Sequence, residues 1–258
     1  MPPLTRKRAM QMLNKVPEVT LYFWIIKIMC TTVGETAADF LNADLHFGLT
    51  GTSLVMSAIL AIFLVMQLRS KKYVPWLYWV VVVLVSIVGT LITDNLVDNF
   101  GVALKTTTLV FSFALLVTFA LWYTKEKTLS IHSIFTKQRE LFYWAAILFT
   151  FALGTAAGDL VAEGLSLGYA KSAVMFGSLI GIVTVAYYGF KVNAVLAFWI
   201  AYILTRPLGA SLGDYLSQSF ENGGLGLGAA VTNAAFLSAI VVLVIYLTVT
   251  RKNIKETI

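Results

Sequence analysis

The chain has 258 residues, 59% of them hydrophobic and only 12% charged. A soluble domain of that length could not hide so much apolar surface, so its solvent must be lipid. The net charge of +6 comes from basic residues in short loops between apolar runs, which fits membrane topology and excludes an extended nucleic-acid-binding surface.

The opening stretch MPPLTRKRAM is basic, and no small-residue cleavage site follows the first apolar run. It therefore reads as a cytoplasmic tail rather than a signal peptide. Eight apolar segments of membrane-spanning length follow, at residues 19–42, 49–68, 74–97, 104–123, 141–163, 169–189, 194–217 and 225–249. The connections are short and carry Gly, Asn or charge, so residues 1–258 are expected to form a single integral membrane domain. The one cysteine, Cys30, lies inside an apolar run and has no partner for a disulfide or a metal site. His46 and His132 fall in loops predicted on opposite sides of the membrane, so they cannot share a site.

Loop charge sets the orientation. Arg6, Lys7, Arg8, Lys15, Arg69, Lys71, Lys72, Lys125, Lys127, Lys137, Arg139, Lys191, Arg251, Lys252 and Lys255 all fall on one side. The other side has only Lys105 and Lys171, together with Asp44, Asp98, Glu163 and Glu221. Both termini are thus expected in the cytoplasm. The remaining two basic residues, Lys27 and Arg206, are inside spans.

The frame W-x9-G-x4-D occurs four times: Trp24, Gly34, Asp39; Trp79, Gly89, Asp94; Trp144, Gly154, Asp159; Trp199, Gly209, Asp214. An aromatic residue precedes each Trp (Phe23, Tyr78, Tyr143, Phe198), and the two halves superpose at an offset of 120 residues. Repeats of about 15–70, 71–128, 135–190 and 191–250 follow, each a motif helix and a plainer partner. Two spans return the chain to the same side, so the repeats run parallel. The expected fold is an all-α membrane protein with eight transmembrane helices, arranged as a pseudo-fourfold ring or as two duplicated halves.

From KVPEVTLYFW (Lys15–Trp24) to the fourth repeat (Trp199–Asp214), the chain resembles bacterial membrane proteins built from four tandem two-helix repeats. Each repeat of that family carries one tryptophan, and the family is labelled as uncharacterised membrane-anchored proteins of unknown function. The resemblance implies an eight-helix protein of the bacterial inner (plasma) membrane. It carries over only Trp24, Trp79, Trp144 and Trp199, and it implies no substrate.

The motif residues divide by chemistry. The tryptophans read as interfacial anchors, with helix packing or gating as the alternative. Gly34, Gly89, Gly154 and Gly209 begin small-x-x-x-small spacings that let helices approach closely in lipid, with a hinge as the alternative. A carboxylate inside a bilayer costs about 2.5–3.5 kcal/mol on insertion scales, so Asp39, Asp94, Asp159 and Asp214 demand a shared compensating environment. At 1.5 Å per residue each lies about 22 Å beyond its Trp, toward the outer side. Stepping back by four residues from each Asp adds Glu35, Thr31 and Lys27 in the first copy, Thr90 and Ser86 in the second, Thr155 in the third and Arg206 in the fourth. Lys27 and Arg206 are candidate charge-pairing or gating residues, partners for Glu35 or an Asp. Hydroxyls on the partner helices (Thr52, Thr107, Ser172; Ser57, Ser112, Thr232) support the stripe, though such groups commonly bond their own backbone.

Carboxylates and hydroxyls are hard ligands suited to protons, Na⁺, Mg²⁺, Mn²⁺ or Ca²⁺. Glu35, Asp39, Asp94, Asp159 and Asp214 are therefore the candidate ion, proton or metal ligands. No nucleophile–base pair, His cluster or phosphate-cradling loop argues for an enzyme, and no cofactor is implied. The expected function is a secondary transporter or exporter of a small hard cation, coupled to protons through the acids. A cation channel with an acidic outer ring and a non-transporting structural or partner-binding protein are the alternatives. The expected partners are the lipid bilayer, a small cation and protons, with homo-oligomers left open.

Overall fold

The computed structural model describes residues 14–256, and among them the chain is entirely helical: eight long helices and no strand. These are α1 (Leu21–Asp39), α2 (Gly48–Arg69), α3 (Pro75–Asp94), α4 (Leu104–Glu126), α5 (Lys137–Asp159), α6 (Tyr169–Phe190), α7 (Ala194–Ser217) and α8 (Ala229–Glu256). The basic tail with Arg6, Lys7 and Arg8 lies outside the described residues, as do the side chains of Arg251, Lys252 and Lys255.

Local sequence sets the helix ends. Thr20 caps α1 by accepting from Phe23 N–H, Thr136 caps α5 by accepting from Arg139 N–H, and Asn193 caps α7 by accepting from Val195 and Leu196. Pro75 opens α3, where its missing N–H removes no helical bond. Seven helices, α2 to α8, are long and apolar enough to cross a membrane, which makes this a multi-pass membrane protein. The exception is α1, whose 19 residues include Lys27, Glu35 and Asp39. Its polar side chains are turned inward onto α3, α7 and α8 rather than toward lipid.

The motif helices form the interior. α1 packs on α3 and α7, and α5 packs on the same two, so the four close on one another. The partner helices stand outside, each against the motif helix of the next repeat: α2 on α3, α4 on α5, α6 on α7, and α8 on α1. The motif glycines are points of close approach between neighbouring motif helices. A Cβ at Gly34 would collide with Ser86, at Gly89 with Phe151, at Gly154 with Arg206 and at Gly209 with Thr31. Each of those four residues stands seven places after a motif Trp, always the Trp of the next helix around the ring.

The tryptophans lie elsewhere than the anchor reading places them. Trp79, Trp144 and Trp199 are buried inside the protein and Trp24 is half-buried. The aromatic before each Trp packs on the Trp of the next repeat: Phe23 on Trp79, Tyr78 on Trp144, Tyr143 on Trp199 and Phe198 on Trp24, at 5.6–6.3 Å between ring centres. Ring-on-ring packing of this kind closes that end of the helix ring and replaces contact with lipid headgroups. Trp122 is also buried, whereas Trp76 is exposed.

Lys15 departs from its expected place as well. It is not a free loop charge but buried, 2.5 Å from the equally buried Glu140 at the start of α5, and Gln67 of α2 donates to the same carboxylate at 3.1 Å.

Candidate functional site

Because the motif recurs in register, residues at one offset from the Trp lie at one level of the ring. Three residues on are Lys27, Val82, Ile147 and Tyr202; seven on, Thr31, Ser86, Phe151 and Arg206; eleven on, Glu35, Thr90, Thr155 and Ala210; fifteen on, the four Asp. All the residues at the three inner levels are buried.

The levels interlock through Arg206. Its guanidinium reaches one level outward and meets all three polar residues there, one from each other repeat. Nη2 donates to Glu35 Oε2 at 2.7 Å, to Thr155 Oγ1 at 2.7 Å and to Thr90 Oγ1. Nη1 donates to the Thr31 carbonyl at 3.2 Å. The fourth residue of that level is Ala210, too small to fill the space the guanidinium takes. A fully buried arginine needs such an acid, since an unpaired charge in low dielectric is strongly unfavourable.

Lys27, one level further in, forms no ion pair among the described residues. Its Nζ lies 4.3 Å from the ring centres of both Phe151 and Tyr202 and 3.4 Å from Thr205 Oγ1. The two ring faces supply the negative potential that a carboxylate would otherwise provide. Inward again, the Tyr78 and Tyr143 hydroxyls meet at 2.5 Å. Side chains thus fill the ring axis from Arg206 to the tryptophans.

Carboxylates gather on the outer side of Arg206. Single oxygens of Glu35, Asp159 and Asp214 all lie within 4.8 Å of one another, a spacing that can hold a metal ion. Asp39 and Asp94 lie within electrostatic reach of Glu35 as well. Asp39, Asp94 and Asp159 are half-buried and each is the last residue of its α-helix, followed by one wider π-helical turn: Phe40–Asp44, Asn95–Asn99 and Leu160–Gly164. In the fourth repeat α7 continues regularly to Ser217, which leaves Asp214 within the helix and buried. Exposed Asp44, Asp98 and Glu163 stand on the π turns at the rim, so carboxyl groups run from the surface to Glu35.

The partner-helix hydroxyls contribute little to this site. Thr107, Ser172 and Thr232 donate to backbone carbonyls four residues back in the chain. One cross-helix bond, Thr36 Oγ1 to Asn233 Oδ1 at 2.8 Å, joins α1 to α8. Thr90 and Thr155 are closer to the chemistry. Their position on the stripe was readable, but their shared contact with Arg206 depends on cross-ring distances. The buried Lys15–Gln67–Glu140 group left one trace in the sequence, a Gln and a Glu beside apolar runs.

A family described as "Repeat of Unknown Function (DUF347)" matches residues 22–73, 77–128, 142–193 and 197–253, four copies that together cover most of the chain. The chain belongs to the DUF347 repeat family. The resemblance to four-repeat membrane proteins of unknown function is thereby established. Each DUF347 repeat here supplies one motif helix to the ring and one acid to its outer end. No curated protein and no solved structure matches the chain.

Proposed function

We propose that this DUF347 protein is a secondary transporter, and not an enzyme, that carries a small hard cation such as Mn²⁺, Mg²⁺ or Na⁺ in exchange for protons. The observation that carries this reading is the convergence of Glu35, Asp159 and Asp214 within 4.8 Å inside a ring of membrane helices. Intramembrane acids are costly and cluster where ions or protons are handled. Asp39 and Asp94 widen the site toward the rim, where they take cations or protons from the outer side. Protons and metal compete for the same oxygens, which is the simplest route to coupling.

The filled axis favours a carrier over a channel. Arg206, Phe151, Lys27, Tyr202 and the tyrosine pair stand between the acids and the tryptophan end. A carrier has to move these side chains, and parallel halves rocking on each other offer one way to do so. We read residues 1–258 as one membrane unit of four parallel two-helix repeats, pseudo-fourfold in layout, with α1 as an eighth span. The cyclic glycine contacts and the cyclic aromatic pairs support that layout. We place it in a bacterial inner membrane with both termini cytoplasmic, on the loop charges, with the bilayer as its constant partner.

The test is ion flux. Purified protein goes into liposomes under opposed pH and cation gradients, with H⁺, Na⁺, K⁺, Mg²⁺, Mn²⁺ and Ca²⁺ compared. Saturable flux that is lost in folded Asp159→Asn/Asp214→Asn protein is the expected result. Conductance that does not saturate would instead indicate a channel. An absence of flux for every ion would reduce the acids to structural contacts that join the repeats.

A further inference from the structure

The guanidinium of Arg206 is surrounded in a way that fits a spherical ion better than a planar fork. A terminal guanidinium nitrogen carries two N–H groups. Nη2 nevertheless faces three oxygens: Glu35 Oε2, Thr155 Oγ1 and Thr90 Oγ1. Meanwhile Nε, equally buried, has no hydrogen-bond partner among the described residues. A site evolved around arginine usually engages the fork along its edge, with parallel bonds to a carboxylate. Here one nitrogen is over-supplied and another is left idle. The three oxygens come from α1, α5 and α3 and converge on one point, as ligands converge on a hard cation.

That point adjoins the acid cluster. Glu35 belongs to both, since it pairs with Arg206 and also lies within 4.8 Å of Asp159 and Asp214. A cation held by the three acids would therefore compete with the guanidinium for Glu35.

We propose that Nη2 of Arg206 is a tethered stand-in for the cargo. The cage of Glu35, Thr90 and Thr155 is the inner half of the cation site, and cation and guanidinium occupy it by turns. This rests on the reading of the protein as a cation carrier and adds to it how the empty carrier is kept neutral. With the cation gone, Glu35 is never left buried and unpaired, so only the remaining acids take up the protons that return in exchange. Thr90 and Thr155 become direct cation ligands.

The experiment uses full-length protein in detergent, with Mn²⁺ as the probe and its binding followed by electron paramagnetic resonance, alongside melting curves with and without Mn²⁺. Arg206→Gln removes the competitor. Wild-type affinity is reduced by the fraction of time the guanidinium fills the cage, so the variant should bind Mn²⁺ about tenfold more tightly or better. It should melt earlier than wild type without metal and recover most of the difference when Mn²⁺ is added. Thr90→Val/Thr155→Val keeps the ion pair and removes two ligands, so it should bind Mn²⁺ more weakly than wild type. Equal Mn²⁺ affinity in wild type and Arg206→Gln would overturn the stand-in while leaving the carrier reading intact. Should Arg206→Gln fail to fold, the threonine pair decides alone, and unchanged binding there rejects the proposal. Wild type that binds neither Mn²⁺ nor a competing Na⁺, Mg²⁺ or Ca²⁺ would remove both readings together.

Discussion

Arg206 and Lys27 are both basic side chains with no exposed surface, yet their surroundings differ in kind. Arg206 is paired to Glu35 at 2.7 Å, while Lys27 rests on two aromatic faces and one hydroxyl. The consequences of substitution differ accordingly. Glu35→Gln leaves a buried guanidinium unpaired and should cost about 3–5 kcal/mol, whereas Glu35→Gln/Arg206→Gln, with both charges gone, should recover much of that. Melting of both singles and the double checks this, and additive losses would mean that the pair is not coupled. Lys27→Met removes a buried amine without orphaning a carboxylate, so stability should hold or rise. A lower melting temperature for Lys27→Met would mean that the Phe151 and Tyr202 ring faces and Thr205 hold the Lys27 amine at a net gain. At this scale the sequence carried much of the site. A four-residue stride from each Asp reaches Glu35, Thr31, Lys27, Thr90, Thr155 and Arg206. The choice of Glu35 over the four Asp as partner for Arg206 was not readable, because it depends on distances across the ring and on the space left at Ala210.

At the scale of helices, the small-residue spacing conceals two different glycines. In α5, Gly154 and Gly158 form G-x-x-x-G, and from sequence they look equivalent. In the structure a Cβ at Gly154 would run into the Arg206 stem, while one at Gly158 would meet Ala210 and Pro207 at an ordinary 3.6 Å. Gly154→Ala should therefore destabilise the protein by about 1–3 kcal/mol through overpacking and disturb the Glu35–Arg206 pair as well. Gly158→Ala should be close to neutral. Parallel melting and Mn²⁺-binding curves for the two variants check the contrast, and similar losses in both would show that the α5–α7 approach is governed elsewhere. The tryptophans were misread for a related reason. An aromatic pair at a helix end commonly faces headgroups, and only ring closure tells whether it faces lipid or its neighbour. The π turns after Asp39, Asp94 and Asp159 left no recognised mark in the sequence, since a single inserted backbone register step changes neither composition nor period enough to detect.

Across the whole molecule the near-symmetry of the two halves is broken at the tryptophan end. Buried Lys15, Gln67 and Glu140 clasp the N-terminal segment to α2 and α5, and Lys15 N–H also donates to the Ile134 carbonyl between the halves. At an offset of 120 residues, Glu140 corresponds to Thr20 and Gln67 to Tyr187. Neither can make such a clasp, and both line a cleft of about 790 Å³ between α1, α6 and α7 that reaches Thr205, the hydrogen-bond partner of Lys27. One junction between the halves is thus pinned while its counterpart is open. Loop charge alone could not disclose this, because Lys15 counts the same in a topology sum whether it is solvated or buried. If the halves part at this end during transport, the clasp has to release once in each cycle. Cysteines at positions 15 and 140, in a Cys30→Ala background and joined by a short bis-maleimide, should then abolish flux in liposomes while leaving Mn²⁺ binding intact in detergent. Flux that persists after cross-linking would place the moving boundary elsewhere, at the open cleft beside α7. Loss of Mn²⁺ binding as well as flux would mean that the clasp helps hold the acid cluster together across the length of the ring.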